Sequence, residues 1–242
     1  HAWAMRTDVL ALQRFYASPL GQATRAMVER RLGALWPDAR GLDLLGYGYA
    51  TPYLEPYRAE ARRVVSFMPA AQGVERWPDG AASLSVIADE GRLPFLDSVF
   101  DRALVVHALE EADAARPLLR ELWRVLAPEA RVILVVANRS GLWARADATP
   151  FGHGRPYSRE QLGGLLQDAL FQPTAWARAL YCPPLSWRVA AGAAEAWERA
   201  GEAAWPAFGG VLLVEAVKRL EGGLVERAGR RVLLAGAALA RP

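Results

Sequence analysis

The sequence predicts an α/β domain built on a parallel sheet with helices on both faces, and three observations predict it. Short apolar runs alternate with amphipathic helical stretches along most of the chain; the runs are rich in Val, Ile and Leu; and the first of them ends in closely spaced glycines. Strands buried on both faces read as such continuous runs, and ligands of these sheets lie beyond the carboxyl ends of the strands. At 242 residues and 52% hydrophobic composition the chain has the size of one generous domain. We divide it into an N-terminal helical lid or packing segment (1–36), a core (37–219) and a C-terminal tail (220–242).

Thr7 to Leu35 reads as helix, with Val9, Leu10, Leu12, Phe15 and Tyr16 on one apolar face and a second piece starting after Pro19. The opening strand follows Trp36-Pro37-Asp38 and runs into Gly46-Tyr-Gly48, a glycine-rich turn where a backbone can come close to a ligand. Pro52 to Arg63 reads as a helix, Arg63 to Met68 as the second strand, Ala82 to Ala88 as the third, stopping at Asp89-Glu90, and Arg102 to His107 as the fourth. Leu118 to Leu126 has helical spacing, and Arg131 to Ala137 is the most plainly buried strand. Asn138 to Pro156 is a polar connection, Ser158 to Leu170 a helix with Ser158 as N-cap, Trp176 to Tyr181 a sixth strand, Ser186 to Trp205 an alanine-rich helix and Gly210 to Val217 a final strand. The tail from Leu220 reads as a helix or strand that packs on the domain or on another subunit.

The bulk composition excludes several classes. The net charge is +3, carried almost wholly by arginines that are spread along the chain, so no nucleic-acid partner is expected. Cys182 is the single cysteine and His1, His107 and His153 stand far apart, which leaves no disulfide and no expected metal site. No apolar run approaches the roughly 20 residues that cross a bilayer, and a signal peptide's apolar stretch is missing, so a cytoplasmic location is expected. His1 to Ala4 precede Met5 and read as an addition ahead of the natural start.

The ordered set of glycine turn, Asp89 ahead of Leu93-Pro-Phe95, Ser98-Val-Phe-Asp101, a strand ending near His107, and Leu119-Arg-Glu-Leu-Trp-Arg-Val-Leu126 resembles the class I S-adenosylmethionine-dependent methyltransferases, in particular the small-molecule branch called methyltransferase type 11. Resemblance runs from about Gly41 to Asn138, with an echo in Tyr157-Ser-Arg-Glu-Gln-Leu162. It implies a Rossmann-like, seven-stranded, mostly parallel sheet with its last strand antiparallel. S-adenosyl-L-methionine is the implied cofactor and a small molecule the implied acceptor; a protein partner or homo-oligomer is a further expectation.

By that resemblance Gly46, Tyr47 and Gly48 approach the methionine part and ribose, Asp89 with Glu90 the adenine amino group, and His107 lines the floor. The sequence departs from the family pattern at three places: Leu44 stands where an acid usually precedes the first glycine, Ala50 replaces the third glycine, and Met68 replaces the acid that grips both ribose hydroxyls. Met68 would then only pack against the sugar or adenine. For the acceptor, His153 in the loop Thr149 to Tyr157 is the expected proton acceptor and Arg155 the holder of an anionic group. Trp143, Phe151, Tyr157 and Trp187 are candidate walls of its pocket or ordinary core. The competing expectation is a degenerate methyltransferase fold with weak or no cofactor binding, acting as a binding or scaffold protein. A nicotinamide-dependent oxidoreductase fits less well, because Thr51 stands where its next glycine belongs and the acid about 20 residues on is missing.

Overall fold

The computed structural model describes residues 6–184 and 191–219. Its strands are β1 (Asp43–Gly48), β2 (Arg63–Pro69), β3 (Ser85–Ala88), β4 (Phe100–Val106), β5 (Leu126–Ala137), β6 (Phe171–Ala179) and β7 (Val211–Lys218). They form one sheet in the order β3-β2-β1-β4-β5-β7-β6. All pairs from β3 to β5 are parallel, and β7 runs antiparallel to both β5 and β6. This is the Rossmann-like arrangement implied above. Strand order reverses at β1, which pairs with β2 on one side and β4 on the other, so the crevice at their carboxyl ends is where such a sheet receives a ligand.

Every residue of β1 is buried, because it is central and covered on both faces. Successive side chains part to opposite faces: Leu44 joins the layer formed with α1 (Val9–Ala17), α2 (Pro19–Leu35) and α3 (Thr51–Leu54), whereas Leu45 joins the layer under α4 (Ala115–Val125) and α5 (Arg159–Asp168). Asp8 caps α1, its carboxylate accepting from the Leu10 N–H, and Ser18 caps α2 ahead of Pro19. The corner between them is tight: a Cβ on Gly21 would stand 1.9 Å from the Phe15 carbonyl oxygen, so only glycine fits. At α5 a full capping box joins Ser158 and Gln161. Helix α6 (Ala191–Ala204) is tied in by the buried Glu198, which accepts from the Leu180 N–H.

Several boundaries differ from expectation. The strand β1 carries on through Gly48, so the glycine pair lies at the strand end rather than in a separate turn. Pro52 to Arg63 yields only the single turn α3 and a 3-10 turn, Glu55–Tyr57, because Pro56 interrupts the helical ladder. The third strand is confined to Ser85–Ala88 at the sheet edge. Strand β5 begins at Leu126, where a register shift against β4 absorbs Pro128 and the left-handed Glu129 (φ +61°). Strand β6 begins at Phe171, with Pro173 tolerated at a register shift on the outermost strand. Trp187, the start of the alanine-rich helix and the tail from Leu220, for which the sequence raised expectations, lie outside the described residues.

Candidate functional site

The end of β1 is shaped by its neighbour. Gly48 has φ +79°, and a Cβ there would stand 2.3 Å from the Val106 carbonyl oxygen at the end of β4. At Gly46 a Cβ would meet Leu54 Cδ1 at 2.4 Å. Both glycines are therefore demanded by close packing of the protein on itself. Asp43 sits at the opposite end of the strand, clasped by Arg62 and Arg63, which hold its carboxyl below the usual range. Tyr47 faces the α4 side against Phe67 (5.0 Å between ring centroids), and its buried hydroxyl has no hydrogen-bond partner among the described residues.

At the end of β2, Met68 is wholly buried and its sulfur accepts from the Glu75 N–H at 3.4 Å. The chain between them turns back over the strand end. Gln72, 1% exposed, reaches across to donate from Nε2 to the His107 carbonyl at 3.0 Å, leaving its buried Oε1 unpartnered. Glu75 accepts from the Tyr49 hydroxyl at 3.0 Å, from the Thr51 hydroxyl and from Gln13 Nε2 of α1 at 2.8 Å. Asp89 accepts from the Gly91 N–H in its own loop, while Glu90 pairs with Arg6.

Helix α1 and the residues before it close this crevice. Arg6 pairs with Glu90 and donates to the Ala108 carbonyl, Thr7 binds Glu111, and the Val9 N–H donates to the Gln72 carbonyl at 2.8 Å. Tyr16 stacks on Tyr49 (5.6 Å, 25°), and its hydroxyl bonds Tyr53 Oη at 2.9 Å and His107 Nε2 at 2.8 Å. His107 is left-handed (φ +48°), lies 4.6 Å from the Phe151 ring and is 3% exposed. Burial pushes its pKa down to about 3, so the ring is neutral.

The other half of the carboxyl edge is open. Beside the ends of β4 and β5 lie two cavities of about 650 and 510 Å³ that share Ala115, Arg155, Pro156 and Tyr157. The guanidinium groups of Arg139 and Arg155 make no ion pair there among the described residues. Glu110, a lining residue of the smaller cavity, accepts from the Ala137 N–H at 3.0 Å with Oε1; its buried Oε2 has no partner among the described residues. Burial raises its pKa to about 7. His153 is exposed and its ring makes no hydrogen bond among the described residues. Trp143 is core: it is wholly buried, its Nε1 donates to the Cys182 carbonyl, and Phe151 packs on it.

The structure thus brings Gly46, Gly48, Met68, Glu90 and His107 around one crevice edge, with Tyr47 turned to the far face and Asp89 in its loop. Sequence reasoning missed Tyr16, Gln72, Glu75 and Glu110. An acid four residues beyond a buried strand was a usable signal for Glu110, whereas the distance of Glu75 along the chain from β2 carried none. Nothing local marked Tyr16 or Gln72. Among the described residues no group of three or more His, Cys, Asp or Glu could hold a metal, and no helix is long and apolar enough to cross a membrane.

Residues 42–134 match a family described as a methyltransferase domain. Among curated proteins none matches the chain. Solved structures share the fold. A methyltransferase from Thermotoga maritima described as a possible histamine N-methyltransferase is 17% identical, with a TM-score of 0.63 over 90% of this chain and 100% of that one. A methyltransferase from Archaeoglobus fulgidus is 17% identical (TM-score 0.58; 80% and 94%), and a [4+2]-cyclase, SpnF, is 21% identical (0.56; 83% and 82%). At these identities the likeness is one of fold, and the cyclase is a reminder that a fold does not fix a reaction.

The cofactor that this family implies carries a carboxylate, an amine, two ribose hydroxyls and an adenine. The carboxylates of Glu75 and Glu90, the unpartnered Gln72 Oε1 and the glycine-formed strand end suit those groups chemically, and docked α1 covers them. By its sheet topology, its structural neighbours and the match over residues 42–134, the chain has the class I S-adenosylmethionine-dependent methyltransferase fold, and that family implies S-adenosyl-L-methionine as its cofactor.

Proposed function

We propose that the protein transfers the methyl group of S-adenosyl-L-methionine to a small-molecule acceptor, and that α1 is a lid which lifts to admit the cofactor. The observation that carries this reading is the convergence on one crevice of Gly46 and Gly48, Glu90 and His107, all held at the carboxyl ends of β1, β3 and β4. In this reading the backbone from Gly46 to Gly48 receives the methionine and ribose parts, Met68 packs against the sugar or adenine, His107 lines the floor, and Asp89 and Glu90 meet the adenine. The cofactor supplies an activated methyl on sulfur; the protein's task is to align an acceptor with it and exclude water. Acceptors enter by the open groove, where Arg155 holds an anionic group, and His153, exposed in the loop leading to the lining residue Gly154, takes the proton.

Filling of the crevice by Arg6, Tyr16 and Gln72 is the one observation that favours a cofactor-free binding protein instead. Isothermal titration separates the two: binding of S-adenosylhomocysteine at micromolar to sub-millimolar concentration supports the transferase, and no heat or thermal shift at millimolar ligand overturns it.

A further inference from the structure

The strand-end carboxylate missing from β2 has a substitute that arrives from further along the chain. After Pro69 the backbone folds back, with the Gln72 N–H on the Pro69 carbonyl at 2.9 Å and the Gly73 N–H on the Ala70 carbonyl at 3.2 Å. That return lays the Glu75 N–H on the Met68 sulfur, so the Glu75 side chain starts where the Met68 side chain ends. Its carboxylate then faces the residues that follow Gly48: one oxygen takes the Thr51 hydroxyl, the other the Tyr49 hydroxyl at 3.0 Å and the Gln13 amide at 2.8 Å. None of these partners is a cation. The half-buried carboxylate is held by neutral donors, with no ion pair among the described residues, and two of those donors are hydroxyls on different oxygens.

We propose that Glu75 is the diol-binding residue of the crevice: with α1 lifted, its two oxygens accept from the vicinal ribose hydroxyls of the adenosyl ligand. A carboxylate offers about four acceptor sites, so loss of Gln13 leaves room for ligand hydroxyls beside Tyr49 and Thr51. Gln13, as part of α1, is then a stand-in donor that keeps the carboxylate satisfied while the lid is down. The assignment rests on the cofactor-site reading above and deepens it.

The test is titration calorimetry of the full chain with S-adenosylhomocysteine and with its 2′,3′-dideoxy analogue. For Glu75→Gln the affinity for S-adenosylhomocysteine should drop about 10- to 100-fold, with that for the dideoxy analogue unchanged within about twofold. Gln13→Ala should not weaken either ligand. Glu75→Asp, which keeps the charge but shortens the reach, should fall between, and serves if the Gln variant does not fold. Equal losses for both ligands would mean that Glu75 only braces Tyr49 and Thr51, and no loss would mean that it faces nothing; either overturns the assignment. A wild-type chain that binds neither ligand removes the cofactor site and the assignment together, whereas wild-type binding without any diol preference removes the assignment alone.

Discussion

The two halves of the sheet's carboxyl edge are built in opposite ways. Over β1, β2 and β3 the crevice is closed by aromatic packing and hydrogen bonds between parts of the same chain, with Tyr16, Tyr49, Tyr53 and His107 locked together. Over β4 and β5 the surface is a groove in which Arg139 and Arg155 make no ion pair among the described residues and the buried Glu110 carboxyl is half satisfied. The first half is closed by α1, an element outside the sheet, and the second is formed by residues next to the strands. In the proposed function α1 is the part that moves, while the open groove stays as it is. That difference predicts where mutations change stability and where they change binding.

The severest way to break the closed half is Gly48→Ala. A Cβ 2.3 Å from the Val106 carbonyl, on a residue at φ +79°, should destabilise the fold by about 3–4 kcal/mol in denaturant titration. In the open half, the largest effect is a pH dependence at Glu110. Its folded pKa, raised from 4.5 to about 7, means that the native state keeps a proton which the unfolded chain gives up. Stability from this group is fully present below about pH 4.5 and is lost as the pH rises through 7, a decline on the order of 3 kcal/mol. Glu110→Gln should flatten that part of the stability curve, measured by urea unfolding from pH 4.5 to 8; an unchanged slope would mean that the carboxyl is solvated.

Tyr16→Phe sharpens the comparison more gently. It removes the hydroxyl that bonds Tyr53 and His107 but keeps the stacked ring, and should loosen the lid by about 1–2 kcal/mol. The apparent affinity for S-adenosylhomocysteine should then rise about 5- to 30-fold while the melting temperature falls. Tighter binding with unchanged stability would place Tyr16 outside the lid's hinge of contacts. Smallest of all, Arg155→Ala should shift stability by less than about 0.5 kcal/mol, since its guanidinium has no ion-pair partner among the described residues to lose. A larger loss would show that the groove, too, is structurally locked.

Much of the sheet was legible because burial on both faces writes itself into composition. Arg131 to Ala137 and Gly210 to Val217 are apolar at every position or nearly so, and both lie at the centre of paired strands. Strand β6 was read late, since Gln172-Pro173-Thr174 looks like a turn; an edge strand tolerates a proline that an inner strand would reject. The glycine pair is required for a reason visible only in three dimensions, namely the pressure of Val106 and Leu54 on Gly48 and Gly46. Glu75 was invisible because the useful quantity is not its distance along the chain from β2 but the fold-back that sets its N–H on the Met68 sulfur.

The sequence by itself determined the alternation of strands and helices, the helix break at Pro19, the cap at Ser158 and the glycines that end the first strand. Those follow from periodicity, backbone restriction and local hydrogen bonding, which act within a few residues. Only the tertiary structure decided that Tyr16 meets His107, 91 positions away, that Arg6 rests on Glu90, and that the Glu75 N–H lies on the Met68 sulfur. Such pairings arise from how the packed layers bring distant segments together, and no pattern within one segment records its partner.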